Sequence, residues 1–146
     1  MMPNFTPLHA DRTLPLVRRI AHDLVGLQSD LRLRQTRIEV LLKDEKKATS
    51  KAHAEELTEI RSSLGEDQQR MLALQEELAA MGAMIHSPSE GVIDFPAQLG
   101  SRMVRLCWRI GEANVSHWHE IHAPLDQRRP ITDEVFSPPL SAAAEA

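Results

Sequence analysis

Two histidines one residue apart, His117 and His119, are the clearest chemical pattern in this chain. On a β-strand successive side chains alternate, so the pair shares a face. Two imidazoles on one face are a common way to offer two ligands to a divalent metal ion, and Glu112, Asp94 or His122 could supply a third. The plainer reading is a histidine hydrogen-bonded among aromatic neighbours. Cys107 is the second candidate. A nucleophilic cysteine needs a nearby cation or base to lower its pKa, and Arg105 and Arg109 alternate onto its face. Against this stands a small residue packed beside Trp118. A third set comprises Arg102, Arg109, Arg128 and Arg129, with Asp94, Glu112 and Glu120 as carboxylate partners. Bidentate Arg–carboxylate pairs could knit the segment together, or the guanidiniums could hold an anionic ligand. Trp108 and Trp118 complete the candidates. They alternate onto opposite faces, so one belongs in the core, and Trp118 is expected to anchor an interface.

The sequence around these residues changes period from helical to alternating. Met103–Ile110 places Val104, Leu106, Trp108 and Ile110 on one face and Met103, Arg105, Cys107 and Arg109 on the other. Residues 111–114 read as a turn, and Val115–Ile121 alternates again. Val92–Phe95 is a third candidate strand, ended by Pro96. With an even-length turn, Ile110 faces Val115, Trp108 faces His117, Leu106 faces His119 and Arg105 faces Glu120. An odd-length turn or a bulge would move both histidines to the side of Arg105 and Arg109.

Two helical stripes precede this unit. Thr6-Pro7 is a helix start, with Thr as N-cap and Pro at the first helical position. Pro15 implies a kink, or a short helix that restarts near Thr13. From Leu14 to Leu42 apolar residues recur in steps of three and four. Residues 43–51 read as a hairpin turn or a polar helix end. A second seam then runs through Leu57, Ile60, Leu64, Asp67, Met71, Leu74, Leu78, Met81 and Ile85, with one polar interruption at Asp67. The 3–4 alternation argues coiled-coil-like packing. The expected fold is α+β and mainly α: an antiparallel helical hairpin over residues 5–86, a small antiparallel β unit over 91–131 packed on it as one domain, and a flexible tail over 132–146.

Residues 12–51 carry ten Lys/Arg against five Asp/Glu, while 52–90 carry two against eight. Segments of opposite sign favour lying side by side, although each screened surface pair contributes little. The net charge of −4 disfavours a general nucleic-acid binder. One cysteine permits no intrachain disulfide, and neither a signal peptide nor a membrane span is legible. A cytoplasmic setting is expected. A two-helix layer leaves apolar surface uncovered, so self-association through the helices, as a dimer or tetramer, is expected too. There is no phosphate-cradling loop, GxSxG, HExxH or paired-cysteine zinc pattern.

The run Gly91–Ala97 (GVIDFPA), then Leu106–Glu112 (LCWRIGE), then Trp118-His119, resembles a bacterial family catalogued as domain of unknown function 2203, whose pattern reads GLVDFPA…LCWRLGE…WH. The resemblance extends from about Phe5 to Ile131. It departs at Ser101, Arg105 and His117, and at Pro124–Arg128, where the family pattern has Gly-Phe-x-Gly-Arg. It implies a helical hairpin with a small β unit and carries no activity with it. The sequence therefore supports a non-enzymatic, self-associating scaffold that presents its β unit to a protein partner. The alternative is a small metal- or ligand-binding protein with its site at Asp94, Glu112 and His119; as metal ligands proper the spacing offers His117, His119 and Glu112.

Overall fold

A computed structural model describes residues 4–44 and 50–138. Helix α1 runs unbroken from Pro7 to Lys43, and α2 from Lys51 to Met81. Both begin as capped helices should. The Thr6 hydroxyl accepts from the His9 amide, and the Ser50 hydroxyl accepts from the His53 amide. Gly82 ends α2 with φ +89°, the left-handed conformation glycine adopts without penalty. Pro15 does not restart α1. It lies on an exposed face, while Leu14 and Val17 on either side of it are buried. Packing of those neighbours outweighs one lost helical hydrogen bond. Within the expected turn, residues 45–49 lie outside the described residues.

Five antiparallel strands follow in sequence order: β1 (Met84–Ser87), β2 (Val92–Leu99), β3 (Arg102–Arg109), β4 (His117–Glu120) and β5 (Arg129–Pro130). Three of them, β1, β2 and the two-residue β5, exceed the sequence expectation. Strand β1 takes over where the helical seam was expected to continue through Ile85. Strand β2 runs through Pro96, because β1 pairs with it only as far as Asp94. Beyond that point β2's outer edge is free of β1, a missing N–H is tolerated there, and the Pro96 carbonyl accepts from the Phe5 amide at 2.8 Å.

The register corrects the even-turn expectation by one residue. Arg105 faces His119, Leu106 faces Trp118 and Cys107 faces His117. The connection between Arg109 and His117 is odd in length, so the alternative arrangement holds and both histidines join the face of Asp94, Cys107 and Arg105. Trp108 and Trp118 consequently share the opposite face. Each is buried, at 1% and 2% exposure, in a core with Phe95, Ile93, Leu106 and the inner side of α1. Trp118 is thus a core residue flanked by the Arg102 and Arg129 guanidiniums, rather than an open interface anchor.

The core lies between this apolar face, the first half of α1 (Ala10 to Leu24) and the end of α2 at Leu78. Further along the hairpin the contact thins, and Leu57, Ile60 and Leu64 are only half-buried. Asp67, the polar interruption in the seam, is buried at 5% exposure and ion-paired to Arg34 of α1. Residues 132–138, expected to belong to a flexible tail, are tied down. Phe136 bridges to Leu99 and is buried, and the Ser137 amide donates to the Gln98 carbonyl. Residues 139–146 lie outside the described residues.

Gly91 is the tightest point of the β1–β2 connection. Its φ is +67°, and a Cβ there would sit 2.3 Å from Ile110 Cδ1 and 3.2 Å from Val25 Cγ2. Gly91→Ala is expected to cost about 1–3 kcal/mol from left-handed strain plus overpacking. A denaturant melt checks it; a midpoint equal to the wild type's would contradict this account.

Candidate functional site

The polar face of the sheet gathers two clusters, with Cys107 between them. The first is built on Asp94, in the middle of β2 and buried at 4% exposure. Its Oδ2 lies 2.9 Å from His119 Nε2 and 2.8 Å from His86 Nδ1. The three residues come from β4, β2 and β1. In a flat sheet the outer two strands would stand roughly 14 Å apart, yet the two imidazole rings meet edge to face with centroids 5.0 Å apart. Both rings therefore lean inward over β2 and β3, a convergence that the sheet's twist assists. The irregular register between Ile85 and Ser87 locates His86 at a bulge, a device that re-aims a side chain.

The hydrogen bonds around His119 define its chemistry. Its Nδ1 donates to the Glu120 carbonyl at 2.6 Å, since a carbonyl can only accept. Nε2 then faces Asp94 Oδ2 either as a second N–H or as a lone pair. A lone pair 2.9 Å from a carboxylate oxygen needs a cation beside it. An imidazole whose Nδ1–H is held by a carbonyl has its tautomer and ring plane fixed, and Nε2 is the nitrogen it could offer to a metal ion; on Asp94 Oδ2 the same nitrogen completes a His–Asp pair. Burial by itself would lower the His119 pKa, but the Asp94 carboxylate and the Glu120 carbonyl together raise it. Burial would raise the Asp94 carboxyl, but the bonds from His119 and His86 bring it below its ordinary value. Each shift favours the charged form of its own group. Asp94 Oδ1 is buried and has no hydrogen-bond partner. Among the described residues, His86, Asp94 and His119 form a set whose donor atoms all lie within 4.8 Å of one another.

The second cluster is centred on Glu112. Arg128 grips it with both terminal nitrogens, at 3.0 and 2.6 Å, and the Arg109 amide donates to it at 2.7 Å. His117 Nδ1 lies 3.3 Å from its other oxygen. An open depression of about 520 Å³ overlies this cluster, lined by Glu90, Arg109, His117, Leu125, Asp126 and Arg128. Helix α1 fixes the loop that carries Glu112: Asp11 accepts from the Val115 amide and Arg18 donates to the Ala113 carbonyl, both at 2.6 Å.

The expected metal set of His117, His119 and Glu112 is therefore divided. The two histidines share a face but serve different carboxylates, and Glu112 is occupied by Arg128. Nor does Glu112 join Asp94 and His119 in one site. His122 lies exposed on the turn after β4. The surroundings of Cys107 disfavour a free thiolate. Burial, and then the Asp94 carboxylate beside it, push its thiol up to about 12, although Arg128 approaches within 3.9 Å. Arg102 pairs with Glu120 at 2.8 Å, and Arg109 with Glu90 at 3.3 Å. Both pairs are solvent-exposed. His86 was not singled out from the sequence. Its signal was the helix-ending Gly82 followed by Met84–Ser87 and a short turn into Val92, which together describe a hairpin.

Burial would raise the Glu112 carboxyl, but the Arg128 guanidinium and the Arg109 amide hold it below the usual carboxylate range. A depressed folded-state pKa stabilises above the unfolded value, about 4.3, and the benefit is lost as pH falls through the folded value. Glu112→Gln should therefore lower the urea midpoint at pH 7 and converge on wild type toward pH 3. A gap that persists at pH 3 would show that Glu112 acts through packing rather than charge.

A family model described as Uncharacterized conserved protein (DUF2203) matches residues 4–131, most of the chain. No curated protein and no solved structure matches it.

Proposed function

The chain belongs to the DUF2203 family of uncharacterized conserved proteins, and we propose that it is a small metal-binding protein that holds a divalent first-row transition ion at His86, Asp94 and His119. The observation that carries this reading is the arrangement on Asp94: two imidazole nitrogens on one carboxylate oxygen, and a second buried oxygen left without a partner. Neighbouring donors around a tetrahedral ion with bonds of about 2.1 Å stand roughly 3.4 Å apart, so the 2.8 and 2.9 Å separations here would open by about half an ångström to admit one. Two nitrogen donors beside one oxygen suit zinc, iron, nickel or copper better than magnesium or calcium, which prefer all-oxygen shells. Protein stripped with a chelator and titrated with zinc in a calorimeter should bind one equivalent. His119→Ala should abolish that binding, and Glu112→Ala should leave it. Failure of the stripped wild type to take up any transition ion would refute the assignment.

A second reading rests on the hairpin. Leu33, Val40 and Leu72 are exposed on α1 and α2, at 67%, 51% and 50%, on helices of opposite net charge. Their burial in a dimer or tetramer, with the sheet presented to a protein partner in a cytoplasmic scaffold, would cover what the hairpin leaves bare. Among the described residues no helix is long and apolar enough to cross a membrane. Multi-angle light scattering should return a mass above that of one chain, and a monomer at every concentration would defeat this reading.

A further inference from the structure

We infer that Cys107 is the fourth ligand of the metal site, closing it into a buried His–His–Asp–Cys cage; the inference rests on the metal reading above. Three observations carry it. Cys107 is paired directly across the ladder from Asp94, on the same face of adjacent strands. Asp94 Oδ1 is buried without a partner, on a side chain only 6% exposed, so the side of Asp94 not taken by the two histidines holds an unmet demand for a cation. Cys107 is itself fully buried, and its sulfur has one polar neighbour outside Asp94, the Arg128 guanidinium 3.9 Å away.

Charge balance then selects the ligand. A divalent ion held by two neutral imidazoles and one carboxylate leaves a net positive charge in a site where Asp94 and His119 are almost fully buried, and an uncompensated buried charge is costly. One more anion makes the cage neutral. Glu112 is unsuited, because Arg128 already neutralises it through two hydrogen bonds. Cys107 is the chain's one cysteine, and it stands next to Asp94. Its sulfur lies outside the set of donor atoms within 4.8 Å of one another, so closure requires the sulfur to come closer to the two imidazoles. A change of χ1 between staggered positions is the smallest movement open to it. On binding, the thiol gives its proton to solvent or buffer and the sulfur donates an electron pair to the ion, with no change of oxidation state. Four protein ligands leave no open position, which characterises a structural rather than a catalytic site.

Cobalt(II) tests this, because a thiolate ligand adds a sulfur-to-metal charge-transfer band in the near ultraviolet. The stripped full chain loaded with one equivalent of cobalt should show that band, together with the visible d–d absorption of a tetrahedral site. Cys107→Ser should lose the near-ultraviolet band and bind cobalt more weakly, by at least the ~10–100-fold that loss of an outer-shell partner costs. Stoichiometric cobalt in the wild type without the band overturns the fourth ligand and leaves a three-ligand site completed by water. A band that survives in Cys107→Ser overturns it as well. No cobalt uptake by the wild type removes the metal site and its fourth ligand together.

Discussion

Asp94→Ala should destabilise the metal-free protein by about 3–5 kcal/mol, the usual cost of removing one partner from a buried charged pair. It should also erase any stabilisation by zinc. Asp94 is hydrogen-bonded to both His86 and His119. Without it, His119, at 1% exposure, keeps a proton with no counter-charge or gives it up and leaves Nε2 without a partner. Either outcome is paid by the folded state alone. In the wild type, zinc at about 1,000 times its dissociation constant should add roughly 4 kcal/mol. Urea unfolding of both proteins, with and without zinc, separates the two effects. A metal-free Asp94→Ala within 1 kcal/mol of wild type would mean that the pair contributes nothing, and zinc stabilisation that persists in the variant would place the ion elsewhere.

Trp108→Ala should cost a similar 3–5 kcal/mol for a different reason. The indole is 1% exposed and fills the space between the sheet and α1. Its Nε1 donates to the Glu112 carbonyl at 3.0 Å, so the same side chain that fills the core also holds the residue gripped by Arg128. Trp108→Phe retains most of the packing and loses the hydrogen bond, and should cost on the order of 1 kcal/mol. Thermal melts of the two variants rank these contributions. Equal losses would indicate that the hydrogen bond, not the volume, dominates.

The helices were legible because their signals are local. Thr6 reads as a cap, and the three-and-four spacing of Leu57, Ile60 and Leu64 needs no partner to be recognised. The alternation across Met103–Ile110 likewise names a strand by itself. The candidate site was half legible. Asp94 and His119 stood out by type, but their meeting depends on a ladder register that hangs on whether the connection from Arg109 to His117 is odd or even. Asp11 and Arg18 hold that loop against α1, a tertiary fact absent from any single segment. The register also decided the fate of the tryptophans. His86 was hidden for another reason: it follows a long helical seam whose period still fits Ile85, and only pairing with β2 overrides that period. Phe136 belongs with it, an apolar residue in a proline-rich stretch that gains a place only once Leu99 is there to meet it.

One buried carboxylate governs how the two long helices line up. Ile60, Asp67 and Leu74 recur at seven-residue intervals along α2, so sliding α2 by one such interval would preserve most of the apolar match with α1. Asp67 forbids the slide. Seven helical residues span about 10 Å, enough to carry its carboxylate out of reach of Arg34 and leave it buried and alone, which costs several kcal/mol. An exposed pair would exert no such veto. The polar gap that weakens the stripe as a hydrophobic seam thereby fixes where the end of α2 arrives, and with it where Gly82 releases the chain and where His86 enters the sheet.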